Sequence, residues 1–142
     1  MKILVLNGPN LGRLGTRQPE IYGSTTLAEL EDMLRARGAE LGVDVECVQS
    51  DDAGVLIDAL GSTDARAVIL NPAALTHYSA ELRDAVAAAA VPVIEVHISN
   101  IYAREPYRRH SMISPVARAS IIGLGIRGYL LALESVAEEA KK

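Results

Sequence analysis

The 142-residue chain contains no tryptophan, no phenylalanine and only one cysteine. With Cys47 alone no intramolecular disulfide can form, and its place in an alternating apolar stretch predicts a small core residue. Lysine is also scarce, since it occurs only at Lys2, Lys141 and Lys142. The interior of the sequence therefore offers no lysine for covalent catalysis. The core must be built mainly from Ala, Val, Ile and Leu.

Long apolar runs and excess positive charge are missing as well. The 14 basic and 18 acidic residues give a formal net charge of -4, which argues against a nucleic-acid partner. No apolar run reaches the roughly 18 residues that span a membrane. The first apolar run breaks at Asn7 and Gly8, too early for a signal peptide. We expect a cytoplasmic protein with one catalytic domain over residues 1–142.

Short apolar runs alternate with helical patterns along the chain. The strands are predicted at 2–6, 43–49, 67–71, 91–97 and 119–122. The helices are predicted within 26–42, 55–60, 79–90 and 129–140, the first opened by a Thr26–Glu29 capping box. This alternation predicts an α/β fold, a flavodoxin-like doubly wound five-stranded parallel sheet with helices on both faces. Ligands bind such sheets beyond the carboxyl ends of the strands.

Polar and titratable side chains follow three of the predicted strands. They are Asn7 and Asn10 after the first strand, Asn71 and His77 after the third, and His97, Ser99, Asn100, Arg104 and Arg108 after the fourth. The carboxyl ends of parallel strands lie at one edge of the sheet. The sequence therefore predicts a functional site at that edge.

Two patterns suggest a bound group, and both have a plainer explanation. The GLGIRG segment at 123–128 matches GxGxxG, but a dinucleotide site needs a further strand with an acidic residue about 20 positions on. Only one helix follows, so a tight turn and close helix packing explain the glycines better. His77, His97 and His110 lack the i, i+4 spacing of a helical metal motif. We predict neither a metal nor a cofactor.

Glu95 and His97 are two positions apart in a predicted strand, so their side chains point to the same face. A carboxylate beside an imidazole fixes its tautomer and stabilises its protonated form. An ordinary histidine at a strand end is the alternative; the polar segment that follows favours a functional pair. The basic cluster at 108–110 is either plain surface or a receiver for a carboxylate. It has no aromatic stacking platform, which disfavours RNA binding.

The segment from Gly12 to Gly23, GRLGTRQPEIYG, is long and polar for a connection between a strand and a helix. It is either a surface loop anchored by Tyr22 or a lid. A tyrosine is ordinarily a poor base because its usual pKa is near 10. The guanidinium of Arg17, five positions away, would favour the phenolate. The pairing predicts a base built from a phenol.

Three stretches together resemble the type II 3-dehydroquinate dehydratases. They are NGPNLGRLGTRQPEIYG (7–23), LNPAALTHYSAELRDA (70–85) and IEVHISNIYAREPYRRHS (94–111). The resemblance implies a lyase of the shikimate and quinate pathways that converts 3-dehydroquinate to 3-dehydroshikimate by anti elimination through an enolate. It implies that neither metal nor cofactor takes part. It also implies a homododecamer, a tetramer of trimers.

The resemblance assigns roles residue by residue. Tyr22 would take the proton alpha to the ketone, Arg17 would favour its phenolate, and Asn10 would hold a water near the enolate oxygen. His97 would protonate the departing hydroxyl, with Glu95 as its partner. The implied substrate-binding residues are Asn71, His77, Ile98, Ser99 and Arg108, together with Asp84, which would reach a neighbouring subunit's site.

The chain departs from the family pattern at positions without an assigned role in proton transfer. They are Gly12 and Arg13, Gln18, Asp51 to Ala53, and Arg109. These departures bear on lid movement and rate more than on the reaction. Two rivals remain: a flavodoxin-like module that binds a small acid or a protein without chemistry, and an FMN-binding flavodoxin. Binding alone does not require Tyr22, Arg17 and His97, and the chain lacks the tryptophan and hydroxyl-rich loop typical of flavin sites.

Overall fold

Five parallel strands form the centre of the molecule in the computed structural model, which describes residues 1–141. The strands are β1 (Lys2–Asn7), β2 (Asp44–Gln49), β3 (Ala67–Asn71), β4 (Val93–His97) and β5 (Ala119–Ile122). Their order across the sheet is β2-β1-β3-β4-β5. This is the flavodoxin-like order, and it confirms the predicted fold class. β3 and β4 are buried along their whole length, which explains the apolar run of β3 up to Asn71 and makes Glu95 and His97 buried polar residues of β4.

Helices cover both faces of the sheet. They are α1 (Pro19–Tyr22), α2 (Leu27–Leu41), α3 (Ala53–Ser62), α4 (Ala80–Ala88) and α5 (Arg127–Ala140). The core on one face includes Leu34 of α2 and Leu133 of α5, while the other includes Leu56 of α3 and Leu82 of α4; all four are fully buried. Among residues 1–141, no helix combines the length and apolar character that crossing a membrane requires.

Caps set the bounds of the helices. The predicted box at the start of α2 is present: Thr26 accepts from the backbone N–H of Glu29, and Glu29 accepts from that of Thr26, both at 3.1 Å. Ser79 accepts from the backbone N–H of Leu82, so it caps α4 instead of beginning it. α4 ends two residues before the predicted end, and α5 begins two residues before the predicted start.

The glycines at 123–128 serve the turn and the packing of α5. Gly123 (φ +91°) and Gly125 (φ +64°) adopt left-handed backbone between β5 and α5. A Cβ at Gly128 would lie 3.2 Å from Ile121 and 3.4 Å from Val96, so the helix approaches the sheet where only glycine fits easily. Cys47 is half-buried against the core, and burial raises the pKa of its thiol to about 11.

Candidate active site

A cavity of about 200 Å³ opens at the carboxyl ends of β1, β3 and β4. Nine of the eleven predicted site residues line it: Asn10, Arg17, Tyr22, Asn71, His77, His97, Ile98, Ser99 and Arg108. Glu95 lies behind His97, and Asp84 lies outside the lining. The long loop after β1 and the ends of β3 and β4 therefore meet around one space, as the fold predicts.

The lining of this cavity is strongly basic. Four arginines take part, Arg13, Arg17, Arg104 and Arg108, and none of the residues that line it is aspartate or glutamate. The whole chain carries a formal charge of -4, so this positive charge is concentrated locally. Guanidinium groups bind carboxylates through paired hydrogen bonds. The cavity is therefore suited to a small anionic ligand.

Tyr22 reaches the cavity from α1, a single turn that begins at Pro19. Its hydroxyl accepts a hydrogen bond of 2.6 Å from Nη1 of Arg104. Both Arg104 and Arg17 also lie near the phenol ring, with Cζ 5.4 Å and 5.8 Å from its centroid. Two guanidinium groups thus lie near the ring of Tyr22, and Arg104 alone makes a direct contact with its oxygen.

Arg104 was not among the predicted site residues. It stands out in the sequence only as one of several polar residues after the fourth strand. Its pairing with Tyr22 joins positions 82 apart, for which no local pattern exists. Arg109, in the predicted basic cluster, donates from Nε to the carbonyl oxygen of Arg104 at 3.0 Å. That contact holds the backbone of Arg104, the residue that donates to the Tyr22 hydroxyl.

The loop between β1 and α2 is tied down at two points. Asn10 has a left-handed backbone (φ +71°), and its N–H donates to Oδ1 of Asp51 at 2.9 Å. Gly15 (φ +90°) lies so close to the return half of the loop that a Cβ there would be 2.9 Å from the carbonyl oxygen of Ser24. Only glycine meets both demands at position 15. The loop is therefore folded over the cavity.

His97 and Glu95 share a face of β4, as predicted, and both are buried. Nε2 of His97 and Oε2 of Glu95 are 2.6 Å apart. Burial alone would raise the pKa of Glu95, but the hydrogen bond and charge of His97, with hydroxyl donors from Ser114 and Thr76, lower it to about 2. An ionised Glu95 holds the proton on Nε2 and leaves Nδ1 as the ring nitrogen for the cavity.

Asn71 is oriented by contacts on both sides of its amide. Its Oδ1 accepts from the N–H of Ala73 at 3.0 Å, and its Nδ2 donates to the hydroxyl of Tyr129 at 2.8 Å. Tyr129 in turn donates to Oδ1 of Asn7 at 2.6 Å. Burial raises the pKa of Tyr129, so it remains a neutral hydroxyl that both accepts and donates. The amide of Asn71 is therefore fixed before any ligand binds.

His77 and Arg108 complete the opposite part of the lining. Nδ1 of His77 lies 2.6 Å from the carbonyl oxygen of His110 and donates to it, which leaves Nε2 for a ligand. Burial lowers the pKa of His77 and favours the neutral ring. Arg108 is paired with Glu105 and stacks on Tyr107, with Cζ 4.8 Å from the ring centroid. Arg108 is the member of the basic cluster that reaches the cavity.

Asp84 is the predicted residue that the structure does not bring to this cavity. It is exposed on α4, where its carboxylate lies 3.3 Å from Nη1 of Arg83. Nor do three His, Cys, Asp or Glu side chains come together as metal ligands anywhere within residues 1–141.

Comparison with known proteins adds an independent line of observation. A sequence model of the dehydroquinase class II family matches residues 1–137. A 3-dehydroquinate dehydratase of Pelotomaculum thermopropionicum is 54% identical over 139 residues, covering 96% of both chains. The type II dehydroquinase of Propionibacterium acnes superposes with a TM-score of 0.89 at 48% identity, covering 96% of both chains. That of Butyrivibrio crossotus gives a TM-score of 0.93 at 40% identity, covering 96% of this chain and 97% of the other. The chain belongs to the class II dehydroquinase family.

Proposed function

We propose that this chain is a 3-dehydroquinate dehydratase of the shikimate pathway, which removes water from 3-dehydroquinate to give 3-dehydroshikimate. Its family and the names of its relatives support this reaction. The observation that carries the mechanism is the geometry of one cavity. The cavity is lined by the phenol of Tyr22, which is hydrogen-bonded to Arg104, and by the buried imidazole of His97, which is paired with Glu95.

Tyr22, as the phenolate, is the base. It takes the proton alpha to the ketone, and the electrons of the broken C–H bond pass into an enolate. The hydrogen bond from Arg104 stabilises the phenolate, and the guanidinium of Arg17 adds positive charge over the same ring. Asn10, which lines the cavity, holds a water near the enolate oxygen. The folded loop excludes bulk water and so strengthens these charge interactions.

His97 is the acid. When the enolate collapses, the C–O bond on the opposite face breaks, and the departing hydroxyl takes the proton from Nδ1 of His97 and leaves as water. Glu95 stabilises the charged imidazole before this step and fixes its orientation. After one turnover the proton removed from carbon is on Tyr22 and the imidazole is neutral. Both groups must then return to their starting states.

Substrate recognition falls to the rest of the lining. We assign it to Asn71, His77, Ile98, Ser99 and Arg108. The basic character of the cavity suits the carboxylate of the substrate. His77 offers Nε2 and Asn71 a pre-oriented amide, both of which suit ring hydroxyls. Arg108 lies beside them and contributes to the same contacts.

An imine mechanism is disfavoured by the placement of lysine. Lys2 lies at the start of β1, at the opposite end of the strand from the cavity, and it pairs with Asp64 at 2.8 Å and Glu46 at 3.2 Å. Lys141 follows the end of α5. We therefore propose that the enzyme works without an imine, and also without metal or cofactor. We place it in the cytoplasm.

Assembly is also part of the proposal. Asp84 is exposed and lies outside the cavity of its own chain, as expected of a residue that completes a neighbour's site. We propose a homo-oligomer, a dodecamer built as a tetramer of trimers. Light scattering should give a mass many times the 15.1 kDa of one chain. A fully active monomer would remove Asp84 from the site.

The direct test is addition of 3-dehydroquinate to the purified protein while ultraviolet absorbance of the conjugated enone product is followed. We expect absorbance to rise at a rate proportional to protein concentration. Borohydride added with substrate should not inactivate, and a chelator should leave the rate unchanged. No rise in absorbance would overturn the reaction. Inactivation by either reagent would overturn the mechanism while leaving the reaction in place.

A further inference from the structure

Glu95 has unusually many partners for a carboxylate that does not line the cavity. It is fully buried, and a buried carboxylate is costly unless hydrogen bonds replace its water. Besides His97, its Oε2 accepts from the hydroxyl of Thr76 at 2.6 Å and from that of Ser111 at 2.8 Å. Its Oε1 accepts from the hydroxyls of Ser114 and, at 3.0 Å, Ser120.

The hydrogen positions around Oε2 follow from counting donors and acceptors. Ser111 Oγ accepts from the backbone N–H of Ile113 at 3.1 Å and of Ser114 at 3.0 Å, which uses both of its lone pairs. Its proton must then point to Glu95 or to the hydroxyl of Thr76, 2.6 Å away. In either case Thr76 can donate its own proton to Glu95. The whole arrangement therefore directs protons toward Oε2.

At Oε2 this arrangement favours the ionised carboxylate. A proton on Oε2 would point toward the buried hydroxyl of Thr76 or Ser111, and the displaced hydroxyl would have no other acceptor because Ser111 already uses both of its lone pairs. The donors come from three separate parts of the fold: a 3-10 turn after β3 (Ala73–His77), the loop at 111–114, and β5. The structure thus surrounds Glu95 with donors that meet only when the chain is folded.

We propose that these hydroxyl groups position His97 through Glu95, by keeping that carboxylate ionised and fixed in orientation. The hydroxyl cluster consists of Thr76, Ser111, Ser114 and Ser120. None of its members lines the cavity, so they are positioning residues and not catalytic ones. The inference rests on the proposed function, in which His97 is the acid. It predicts that loss of one of these hydroxyls impairs proton donation by His97, although none of the four residues contacts the substrate.

The charged surroundings of Glu95 are simple enough for a pH experiment. His97 on its own strand is the titratable group that contacts it, and His77 on the neighbouring turn acts at longer range. β3 presents Leu70 next to Glu95 in the ladder, and β5 presents Ser120. The low pKa of Glu95, about 2, agrees with this set of donors. Removing donors should raise it.

The test compares Thr76→Val, Thr76→Ser and the double variant Ser114→Ala/Ser120→Ala, with kcat measured from pH 3 to 9. Thr76→Val and the double variant should each lose on the order of tenfold in kcat, the usual effect of losing a hydrogen bond to a charged group. Their acid limbs should move to higher pH, because Glu95 becomes protonated more easily. Thr76→Ser should recover most of the loss. Ser62→Ala, which removes an exposed hydroxyl of α3, is the matched control and should behave like the unmodified protein.

A second arm separates action through Glu95 from a general effect on the fold. In a Glu95→Gln background, the same substitutions should change kcat by less than about twofold, because the charge they support is gone. Equal losses in both backgrounds would overturn the inference. Unchanged kcat and pH profile in every cluster variant would also overturn it.

A third arm does not depend on activity. The Glu95 carboxyl carbon can be followed by 13C NMR, with its signal assigned by its absence in Glu95→Gln. It should stay ionised down to about pH 4 in the unmodified protein and titrate at higher pH in the double variant. Titration at the same pH in both proteins would refute the inference. If the unmodified protein did not dehydrate 3-dehydroquinate at all, the proposed function would fail, and this arm would still decide whether the hydroxyl cluster sets the charge of Glu95.

Discussion

The two sides of the cavity are built in opposite ways. The base side, named for the proposed base, has Tyr22 on a one-turn helix in a loop, with Arg17 from the same loop and Arg104 from the segment after β4. Its phenol oxygen has one short hydrogen bond. The acid side, named for the proposed acid His97 and its partner Glu95, lies at the end of a fully buried strand and is surrounded by hydrogen-bond donors. The base side therefore depends on contacts between loops, whereas the acid side is held in place by the core.

The largest effect should come from removing the base. Tyr22→Phe keeps the ring and its packing but has no oxygen to take the proton, so turnover should fall by at least about 10⁴-fold. Substrate binding, measured by calorimetry, should change little because the arginines remain. Substantial residual turnover would show that the base is another group.

Removing the acid should cost somewhat less, because water can protonate a leaving hydroxyl slowly. His97→Ala should lower kcat by about 10²–10⁴-fold. The hydroxyl donors to Glu95 remain in this variant, so it should stay folded, which circular dichroism would check. A near-normal turnover number would contradict the assignment of His97 as the acid.

The two arginines on the base side should differ from each other. Arg104 donates directly to the phenol oxygen, and a hydrogen bond to a charged group contributes about 1.5–3 kcal/mol, or about 10- to 150-fold in kcat. Arg17 only lies over the ring, so Arg17→Ala should cost less than Arg104→Ala. Combining Arg104→Ala with Tyr22→Phe should add little to the loss from Tyr22→Phe alone, since both act as one unit. Losses that multiply would mean that Arg104 does not act through Tyr22.

The two sides also differ in how well the sequence predicts them. The acid side could be predicted because Glu95 and His97 are two positions apart in one strand, where alternation decides which side chains share a face. The fold could be predicted for the same reason, since periodicity and caps are local; the Thr26–Glu29 box is an example. β4 begins two residues later than predicted, at Val93, because Pro92 has no N–H for the ladder.

The sequence does not predict the parts of the site that come together only when the chain folds. Arg104 and Tyr22 are 82 positions apart, and Thr76, Ser111 and Ser120 reach Glu95 across 16 to 25 positions. Serine and threonine are common enough that nothing in their spacing points to a carboxylate. The single turn at Pro19–Tyr22 is too short to show a helical period.

A smaller effect on turnover should follow from a substitution that displaces the loop. Gly15→Ala places a Cβ against the carbonyl oxygen of Ser24 at a residue with φ +90°, so the loop must shift and turnover should fall several-fold. Gly42→Ala is the matched control, because Gly42 (φ +78°) caps α2 with nothing within 4 Å of an added Cβ. Both should lose about 1–2 kcal/mol of stability from the left-handed backbone. Only Gly15→Ala should lose activity, and equal activity in the two would contradict a positioning role for the loop.

The effect that is most specific to the acid side concerns stability. Glu95 has a folded-state pKa of about 2 against an ordinary value of 4.5, so the unfolded chain binds its proton first as the pH falls. Its contribution to the free energy of unfolding is therefore present above about pH 4.5 and is lost as the pH approaches 2. Urea unfolding at fixed protein concentration should show the gap between the unmodified protein and Glu95→Gln narrowing from pH 6 to pH 3. Tyr22→Phe, on the base side, should show no such narrowing. A gap that stays constant or widens in acid would mean that Glu95 is not held ionised. The contrast between an acid side fixed in the core and a base side carried by loops would then lose its electrostatic basis.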